Sequence, residues 1–204
     1  MNDDIDKLAK LFSEFPGIGE RQSKRFVYFL LGRDQNYTKE LIDRLGQLKK
    51  KIAQCGECYR YFPADGNELC DVCANPKTDK TMLLVVEKDS DFENVRRSKA
   101  YPGKYFILGG LVPIIDKTTT KKIRVNELVS RVETMAKNGL EELVIALSLN
   151  PNGENTDSYL RQKISSLAET FKFKVTSLGR GLSTGSELEY TDDETIKNAL
   201  KNRQ

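Results

Sequence analysis

The hydrophobic pattern of the first fifty residues predicts three helices. Apolar residues recur at helical spacing from residue 6 to residue 31, and a turn at Pro16-Gly17-Ile18-Gly19 interrupts them. A third helix is expected from about residue 38 to residue 53, with one apolar and one strongly basic face. The apolar positions of this helix are Leu41, Ile42, Leu45, Leu48 and Ile52. The chain is therefore expected to begin with a small helical unit.

A second pattern, in which short strands alternate with helices, begins at residue 82. The strand candidates are residues 82–86, 105–108, 143–147 and 174–177. Helical patterns at residues 126–138 and 156–171 separate the later strands, and residues 192–203 predict a short closing helix. This alternation is typical of a mostly parallel sheet with helices packed against it.

The segment between these regions, residues 55–80, has no convincing period. It is rich in Cys, Gly, Asp, Asn and Pro, so it cannot bury much core by itself and needs a staple. Its four cysteines form two Cys-x2-Cys pairs, Cys55 with Cys58 and Cys70 with Cys73. Four thiolates at this spacing fit tetrahedral zinc, and a closed four-sulfur shell leaves no position for water. We therefore predict a structural zinc rather than a catalytic one.

Composition indicates where the protein works. The 204 residues are 38% hydrophobic and 31% charged, and no apolar run approaches the roughly 18 residues that span a bilayer. The first residues, Met1-Asn2-Asp3-Asp4, are acidic where a secretory signal would be basic. These features predict a cytoplasmic protein. A reducing cytoplasm in turn favours zinc over the alternative interpretation of the cysteines as two disulfides.

Charge and histidine content limit the possible functions. The net charge of +3 is too small to indicate a nucleic-acid partner, so such a partner must be argued from where the basic residues lie. The sequence contains no histidine. This absence excludes Ser-His-Asp triads, Cys-His nucleophile pairs and His-ligated zinc hydrolases, because each of them needs an imidazole.

The turn between the first two helices is a candidate DNA-binding site. Gly17 and Gly19 permit a close turn, so that backbone N–H groups and the start of the next helix can face a phosphate. Arg21, Lys24 and Arg25 follow within about one helical turn of one another. These residues resemble a helix-hairpin-helix motif, which contacts DNA phosphates without sequence preference. The alternative interpretation is that the turn only joins two packed helices.

The order of these parts resembles the RecR family over residues 11–203. Besides the hairpin and the paired cysteines, the matching strings are Val85-Val86-Glu87, Tyr101-Pro102-Gly103-Lys104-Tyr105, Leu108-Gly109-Gly110 and Gly181-Leu182-Ser183-Thr184-Gly185-Ser186-Glu187-Leu188-Glu189-Tyr190-Thr191-Asp192. The resemblance implies a multi-module fold of the α+β or α/β class. Its parts would be a helix-hairpin-helix region (1–54), a four-cysteine zinc finger (55–80), a Toprim-like, mostly parallel α/β domain (81–176) and a Gly-rich segment with a C-terminal helical tail (177–204).

The same resemblance implies a function. RecR-like proteins are non-enzymatic mediators that help to load recombinase onto gapped or single-stranded DNA in recombinational repair, with RecO and, in some bacteria, RecF. They assemble as homo-oligomers, either dimers or rings of four, that can encircle DNA. Arg21 and Arg25 match the family's basic positions after the hairpin. Glu87, Asp91 and Glu154 fall in the acidic region that would serve as a partner interface or a vestigial Toprim site.

Two other hypotheses belong to different functional classes. A catalytic Toprim enzyme, such as a magnesium-dependent nuclease, primase or topoisomerase, would need Glu87 and an Asp-x-Asp pair after a later strand. Residues 148–154 contain no Asp pair, so we do not predict an enzyme. A zinc-containing interaction module without a nucleic-acid role would show no DNA affinity for salt to weaken. The basic segment 116–124 is either an ordinary solvated loop or an additional DNA contact.

Overall fold

The structure is a computed structural model, and it describes residues 3–64, 66–114, 123–179, 181–182, 185 and 187–201. Most of the basic segment 116–124, for which a loop or a DNA contact was expected, lies outside the described residues. The chain divides into two compact units, an N-terminal unit, Met1–Ala53, and a C-terminal unit, Gln54–Gln204. Within the described part of the chain, no helix is both long and apolar enough to cross a membrane.

The N-terminal unit contains the three helices that the hydrophobic pattern predicts. They are α1 (Asp3–Ser13), α2 (Glu20–Leu31) and α3 (Gln35–Lys51). Helices α1 and α2 pack against each other, with Phe12 and Phe26 in edge-to-face contact at 5.7 Å between ring centroids. Helix α3 begins three residues before the expected start, because the side chain of Asp34 caps it by accepting from the Tyr37 N–H (2.9 Å).

The apolar face predicted for α3 is present but is not covered. No residue of this helix is buried, although its whole length is described. Ile42, Leu45 and Leu48 are each more than half exposed. The sequence pattern correctly identifies the apolar stripe of the helix, and among the described residues this stripe remains largely exposed.

From residue 52 onward, the described residues form six strands and five α-helices. Strand β1 (Ile52–Gln54) directly precedes the cysteine segment, which contains β2 (Tyr61–Pro63) and α4 (Asp71–Ala74), and the two strands pair with each other. The elements that follow are β3 (Asp79–Val86), α5 (Asp89–Ser98), β4 (Gly103–Ile107), α6 (Val125–Lys137), β5 (Glu142–Ala146), α7 (Pro151–Phe171), β6 (Lys174–Ser177), a short 3-10 helix (Leu188–Tyr190) and α8 (Asp193–Lys201).

Four of the strands form the parallel sheet that the alternating pattern predicts. The strand order is β4-β3-β5-β6, and all neighbours run parallel. Successive residues of β3 face opposite sides of this sheet. Leu83 and Val85 pack against α6 and α7, whereas Leu84 and Val86 pack against Phe92 of α5. The result is a three-layer α/β/α core, which confirms the predicted fold class.

Two helices of this unit differ from the sequence prediction. Helix α5, between β3 and β4, was not predicted, because only two of its ten residues are apolar. Phe92 is buried, and Val95 is partly buried. Helix α7 begins at Pro151 rather than near residue 156. The side chain of Asn150 caps it by accepting from the Gly153 N–H (2.9 Å), and a proline at the first helical position needs no hydrogen bond from its nitrogen.

Candidate metal centre and nucleic-acid interface

The four cysteines converge in one buried cluster. Their sulfur atoms all lie within 4.8 Å of one another, and all four residues are buried. The Cys58 and Cys70 sulfurs are 3.6 Å apart. A tetrahedron with metal–sulfur bonds of about 2.3 Å has edges of about 3.8 Å, so this spacing fits a four-thiolate metal shell. The cluster could therefore hold a metal ion.

Local turns bring the two cysteine pairs together. The Tyr59 N–H donates to the Cys55 carbonyl (3.0 Å), and the Cys55 N–H donates to the Arg60 carbonyl (2.9 Å). Tyr59 adopts a left-handed backbone conformation (φ 63°), which closes this first turn. The Cys70 N–H donates to the Cys55 sulfur (3.4 Å) and so ties the second pair to the first. The pairs are thus prearranged around a common centre.

The thiols of this cluster do not lose their protons together. Hydrogen bonds from the thiols of Cys58, Cys70 and Cys73 hold the pKa of Cys55 below its ordinary value. The corresponding bond with Cys55 raises the pKa of Cys58, and Cys55 likewise raises the pKa of Cys73. A bound divalent cation would favour the thiolate form at all four positions.

Two buried cations fasten the cysteine segment to the rest of the C-terminal unit. Lys104, in β4, is only 4% exposed, and its Nζ donates to the carbonyls of Cys73 (2.9 Å) and Val72 (3.1 Å). Arg60 lies 3.1 Å from the Asp71 carboxylate, and its guanidinium stacks on the Phe92 ring at 4.6 Å. Lys104 thereby connects the second cysteine pair to β4, and Arg60 connects it to α5.

Three further contacts strengthen this attachment. Glu57, between the first two cysteines, pairs with Arg131 of α6 at 2.6 Å. The Tyr61 N–H donates to Asp89 (2.9 Å), and the N–H of Ile107, at the end of β4, donates to the Cys58 carbonyl (2.9 Å). The cysteine segment is therefore packed against the α/β layers rather than being an independent module.

Sequence reasoning missed these attachment residues. The partners of Glu57 and Cys73 are 74 and 31 residues away along the chain, so no local spacing links them. One signal was available in the sequence, because Lys104 directly precedes the predicted apolar strand 105–108, and the structure extends that strand to Gly103 with all five residues buried. A lysine in a fully buried strand needs partners, and this requirement could have identified it.

Lys104 provides a test of this attachment. We expect Lys104→Met to lower the free energy of unfolding by about 1–3 kcal/mol, since it leaves the Cys73 carbonyl without a donor, whereas the Val72 carbonyl keeps its hydrogen bond from the Thr78 hydroxyl. The same change should speed the release of metal to a chelator. Urea unfolding and a chromogenic chelator assay measure the two effects. Lys80→Met, at an exposed position of β3, is the matched control, and equal behaviour of both variants would contradict the assigned role.

The hairpin of the N-terminal unit has the geometry of an open helix start. Gly17 is left-handed (φ 77°), and the Ile18 N–H donates to the Phe15 carbonyl (3.1 Å), which closes the turn. Gly19 is the N-cap of α2 and has no side chain to cap the helix. Gly19 and the first residues of α2 are exposed. The free N–H groups of this helix start are therefore accessible to an anion.

The three basic residues after the hairpin do not have the same surroundings. Arg21 and Arg25 are exposed and lie one helical turn apart on α2. Among the described residues, the Arg25 side chain has a single hydrogen bond, a long one to the Gln22 side chain (3.4 Å). Lys24 instead pairs with Asp6 of α1 at 3.0 Å, and this hydrogen bond raises the pKa of Lys24. Arg21 and Arg25 are thus the more available of the three cations.

The structure places the three acidic residues of the Toprim-like region in separate local roles. The Glu87 carboxylate, just after β3, accepts from the Ser148 hydroxyl (2.6 Å). Asp91 accepts from the Lys88 N–H (3.2 Å) at the start of α5, and Glu154 lies in the first turn of α7. Within the described residues, the four cysteines are the only set of three or more potential ligands close enough to share a metal ion.

Comparisons with known proteins agree over nearly the whole chain. A family model described as "RecR, C-terminal" matches residues 181–204. The chain is 33% identical over 199 residues to a protein of Bacteroides fragilis, covering 98% of this chain and 92% of that protein. It is 36% identical over 201 residues to one of Dehalococcoides mccartyi (98% and 93%) and 33% identical over 204 residues to one of Acidothermus cellulolyticus (100% and 96%). Each relative carries the name "Recombination protein RecR". With this identity over almost the full length, the chain belongs to the RecR family.

Proposed function

We propose that this protein is a non-enzymatic mediator of recombinational DNA repair. It binds DNA without sequence preference and assists the loading of recombinase onto gapped or single-stranded DNA, together with a RecO-type partner and, in some bacteria, RecF. The relatives' shared name supports a role in recombination. The observation that carries the DNA-binding part is the uncapped start of α2 beside two exposed arginines, Arg21 and Arg25.

The phosphate contact of this proposal has two components. The backbone N–H groups that follow Gly19 belong to the uncapped first turn of α2, at the positive end of the helix dipole, where a phosphate oxygen is favoured. Arg21 and Arg25 then add charge-assisted hydrogen bonds to the same strand. Lys24 contributes less, because Asp6 competes with the phosphate for its ammonium group.

The metal of this proposal is zinc, bound by Cys55, Cys58, Cys70 and Cys73. Four buried sulfur ligands favour zinc over hard cations such as magnesium, which prefer oxygen. A full thiolate shell gives the ion a structural role, and thiolates of this kind persist in a reducing compartment. We accordingly place the protein in the cytoplasm.

We also propose that the chain has four parts, residues 1–54, 55–80, 81–176 and 177–204.

Self-association is part of the same proposal. The uncovered apolar stripe of α3 contains Ile42, Leu45 and Leu48, and water contact with such a stripe is unfavourable. The exposed stripe therefore supports a homo-oligomer, either a dimer or a ring of four, in which a second copy buries it. The acidic residues Glu87 and Glu154, with Asp91, are proposed as a partner surface rather than as ligands for catalytic magnesium.

DNA binding across a salt series tests the proposal. Purified protein is mixed with fluorescent duplex, single-stranded and gapped DNA, with magnesium present and with or without a RecO partner. We expect binding that weakens steeply as salt increases, strengthens with the partner and leaves the DNA intact. Cleaved or extended DNA would instead indicate a catalytic Toprim enzyme. A protein that bound none of the three DNAs would fit only an interaction module.

The hairpin assignment predicts the effect of a double substitution. Arg21→Ala with Arg25→Ala should weaken DNA binding at least tenfold at low salt, since two phosphate contacts are lost. The slope of log affinity against log salt should become shallower by roughly 1.4 to 1.8, or about 0.7 to 0.9 for each lost contact.

A charge-matched control separates this effect from net charge alone. Lys10→Ala with Lys39→Ala removes the same charge from exposed positions on α1 and α3. This control should retain nearly the full salt slope. If the two double variants bound DNA equally well, the hairpin would not be the DNA-binding site.

A further inference from the structure

The exposed face of α2 continues beyond the two arginines of the hairpin. Arg21, Arg25 and Phe29 are spaced four residues apart, which places them in one row with about 6 Å between neighbours along the helix axis. All three are exposed. The opposite face of the helix is the packed one, where Ser23 and Val27 are buried. The row is therefore a surface feature and not part of the core.

At the end of this row lies a cluster of two aromatic rings and a guanidinium. The Arg33 guanidinium lies 4.3 Å from the centroid of the Phe29 ring and 5.4 Å from that of Tyr37. The two rings meet edge to face at 6.1 Å. Phe29 is 47% exposed and Tyr37 is 41% exposed, so both rings keep a large surface in contact with water.

The charges along the row are available to a ligand. Within the described part of the chain, Arg21, Arg25 and Arg33 form no ion pair with a carboxylate. The row thus presents three guanidiniums and two accessible rings over the length of one helix and the turn after it. This combination favours an anionic polymer that also carries flat, apolar groups.

A single strand of DNA has that chemistry and a duplex does not. Its phosphates can pair with guanidiniums, and its unstacked bases can stack on aromatic side chains or on an arginine plane. In a duplex, the flat faces of the bases are already stacked on one another, so only the phosphates are accessible to this row. The aromatic cluster therefore distinguishes the two forms of DNA.

We propose that the row Arg21, Arg25, Phe29, Arg33 and Tyr37 is a track for single-stranded DNA, in which the hairpin arginines hold phosphates and the Phe29–Tyr37 cluster stacks an unpaired base. This inference rests on the proposed function and deepens it by naming the form of DNA that the N-terminal unit selects. Arg33 orients the rings by its cation–π contacts and lies near the next phosphate of the strand.

The test compares Phe29→Ala with Tyr37→Ala, as a double variant, against the wild-type full-length protein. The probes are a fluorescent oligo-dT strand and a blunt duplex of the same length, each titrated over a salt series. We expect affinity for the single strand to fall about tenfold or more, with an unchanged salt slope, because base stacking releases no counterions. Affinity for the duplex should stay within twofold of the wild-type value.

Two further variants make the result specific. Phe29→Trp, with Tyr37 retained, keeps a stacking surface and should bind the single strand about as tightly as the wild type. Tyr61→Ala removes an exposed aromatic ring from the C-terminal unit and should leave both affinities unchanged. Sizing in solution at the concentrations of the titrations reports whether any variant changes the oligomeric state.

The outcomes separate this inference from the proposed function. Equal losses for duplex and single strand, or a change in oligomeric state that accounts for the loss, would overturn the stacking track and indicate an interface between copies. Unchanged single-strand affinity in the double variant would also overturn it, while the arginine variants would still support DNA binding by the hairpin. Wild-type protein without affinity for either DNA would overturn both.

Discussion

Removal of the metal from the four-cysteine site is expected to disrupt the C-terminal unit and not only the 26 residues between 55 and 80. Structural zinc binds comparable peptides with about 10–16 kcal/mol, which is as large as the roughly 5–15 kcal/mol that stabilises a whole domain. Without the ion, four buried thiols lose the centre that holds them together. Lys104 and Arg131 then lose the partners that fix the segment to β4 and α6.

Thiol titration measures this effect directly, because the chain has no cysteine outside the site. In the native protein with its metal, thiol reagent should react slowly. After treatment with a strong chelator, all four thiols should become reactive, and far-UV circular dichroism and sizing should change together. Cys70→Ser should make the three remaining thiols reactive without chelator, with the same changes in circular dichroism and sizing. Rapidly reactive thiols in untreated, folded protein, or an unchanged fold after verified metal loss, would argue against a structural metal.

Gly153→Ala is expected to be strongly destabilising, by about 3 kcal/mol or more, although alanine is usually the better residue in a helix. A Cβ at this position would overlap the backbone carbonyl oxygen of Ser148. Main-chain atoms cannot rotate away as a side chain can, so the start of α7 has to shift. The shift would also disturb the Asn150 cap and the hydrogen bond from Ser148 to Glu87.

Gly46→Ala is the matched control for this prediction. Gly46 also lies within a helix, α3, but a Cβ there would meet no other atom within 4 Å. It should be neutral or should stabilise its helix by up to about 1 kcal/mol. Thermal and urea unfolding of the two variants measure the difference. A Gly153→Ala protein as stable as the wild type would show that the loop before α7 adjusts more easily than its geometry indicates.

Most of the sheet could be predicted from the sequence because β3, β4 and β5 each contain a short apolar run. Strand β6 occupies residues 174–177 as expected, and the other three predicted strands overlap β3, β4 and β5. The start of α7 could not be predicted in the same way. Asn150, Pro151 and Gly153 are typical of a loop, and only the cap of Asn150 on the Gly153 N–H makes them the beginning of a helix.

The four-cysteine cluster could also be predicted from the sequence, since two Cys-x2-Cys pairs are local patterns that need no tertiary information. The cations that hold it were not predicted, because Lys104 and Arg131 reach the cysteine segment only after the sheet has formed. Lys24 shows the same limit at the hairpin. Its position in the sequence resembles those of Arg21 and Arg25, but the fold places Asp6 beside it.

The contact between Glu57 and Arg131 has a consequence for synthesis of the chain. The two residues are 74 positions apart, and a ribosome that adds about 5 to 20 residues each second needs roughly 4 to 15 seconds to cover that distance. The two cysteine pairs therefore leave the ribosome before β4 and α6, the strand and the helix that attach them to the rest of the unit. We therefore expect the thiols to be open to a metal ion while translation continues, before α6 attaches the segment to the sheet.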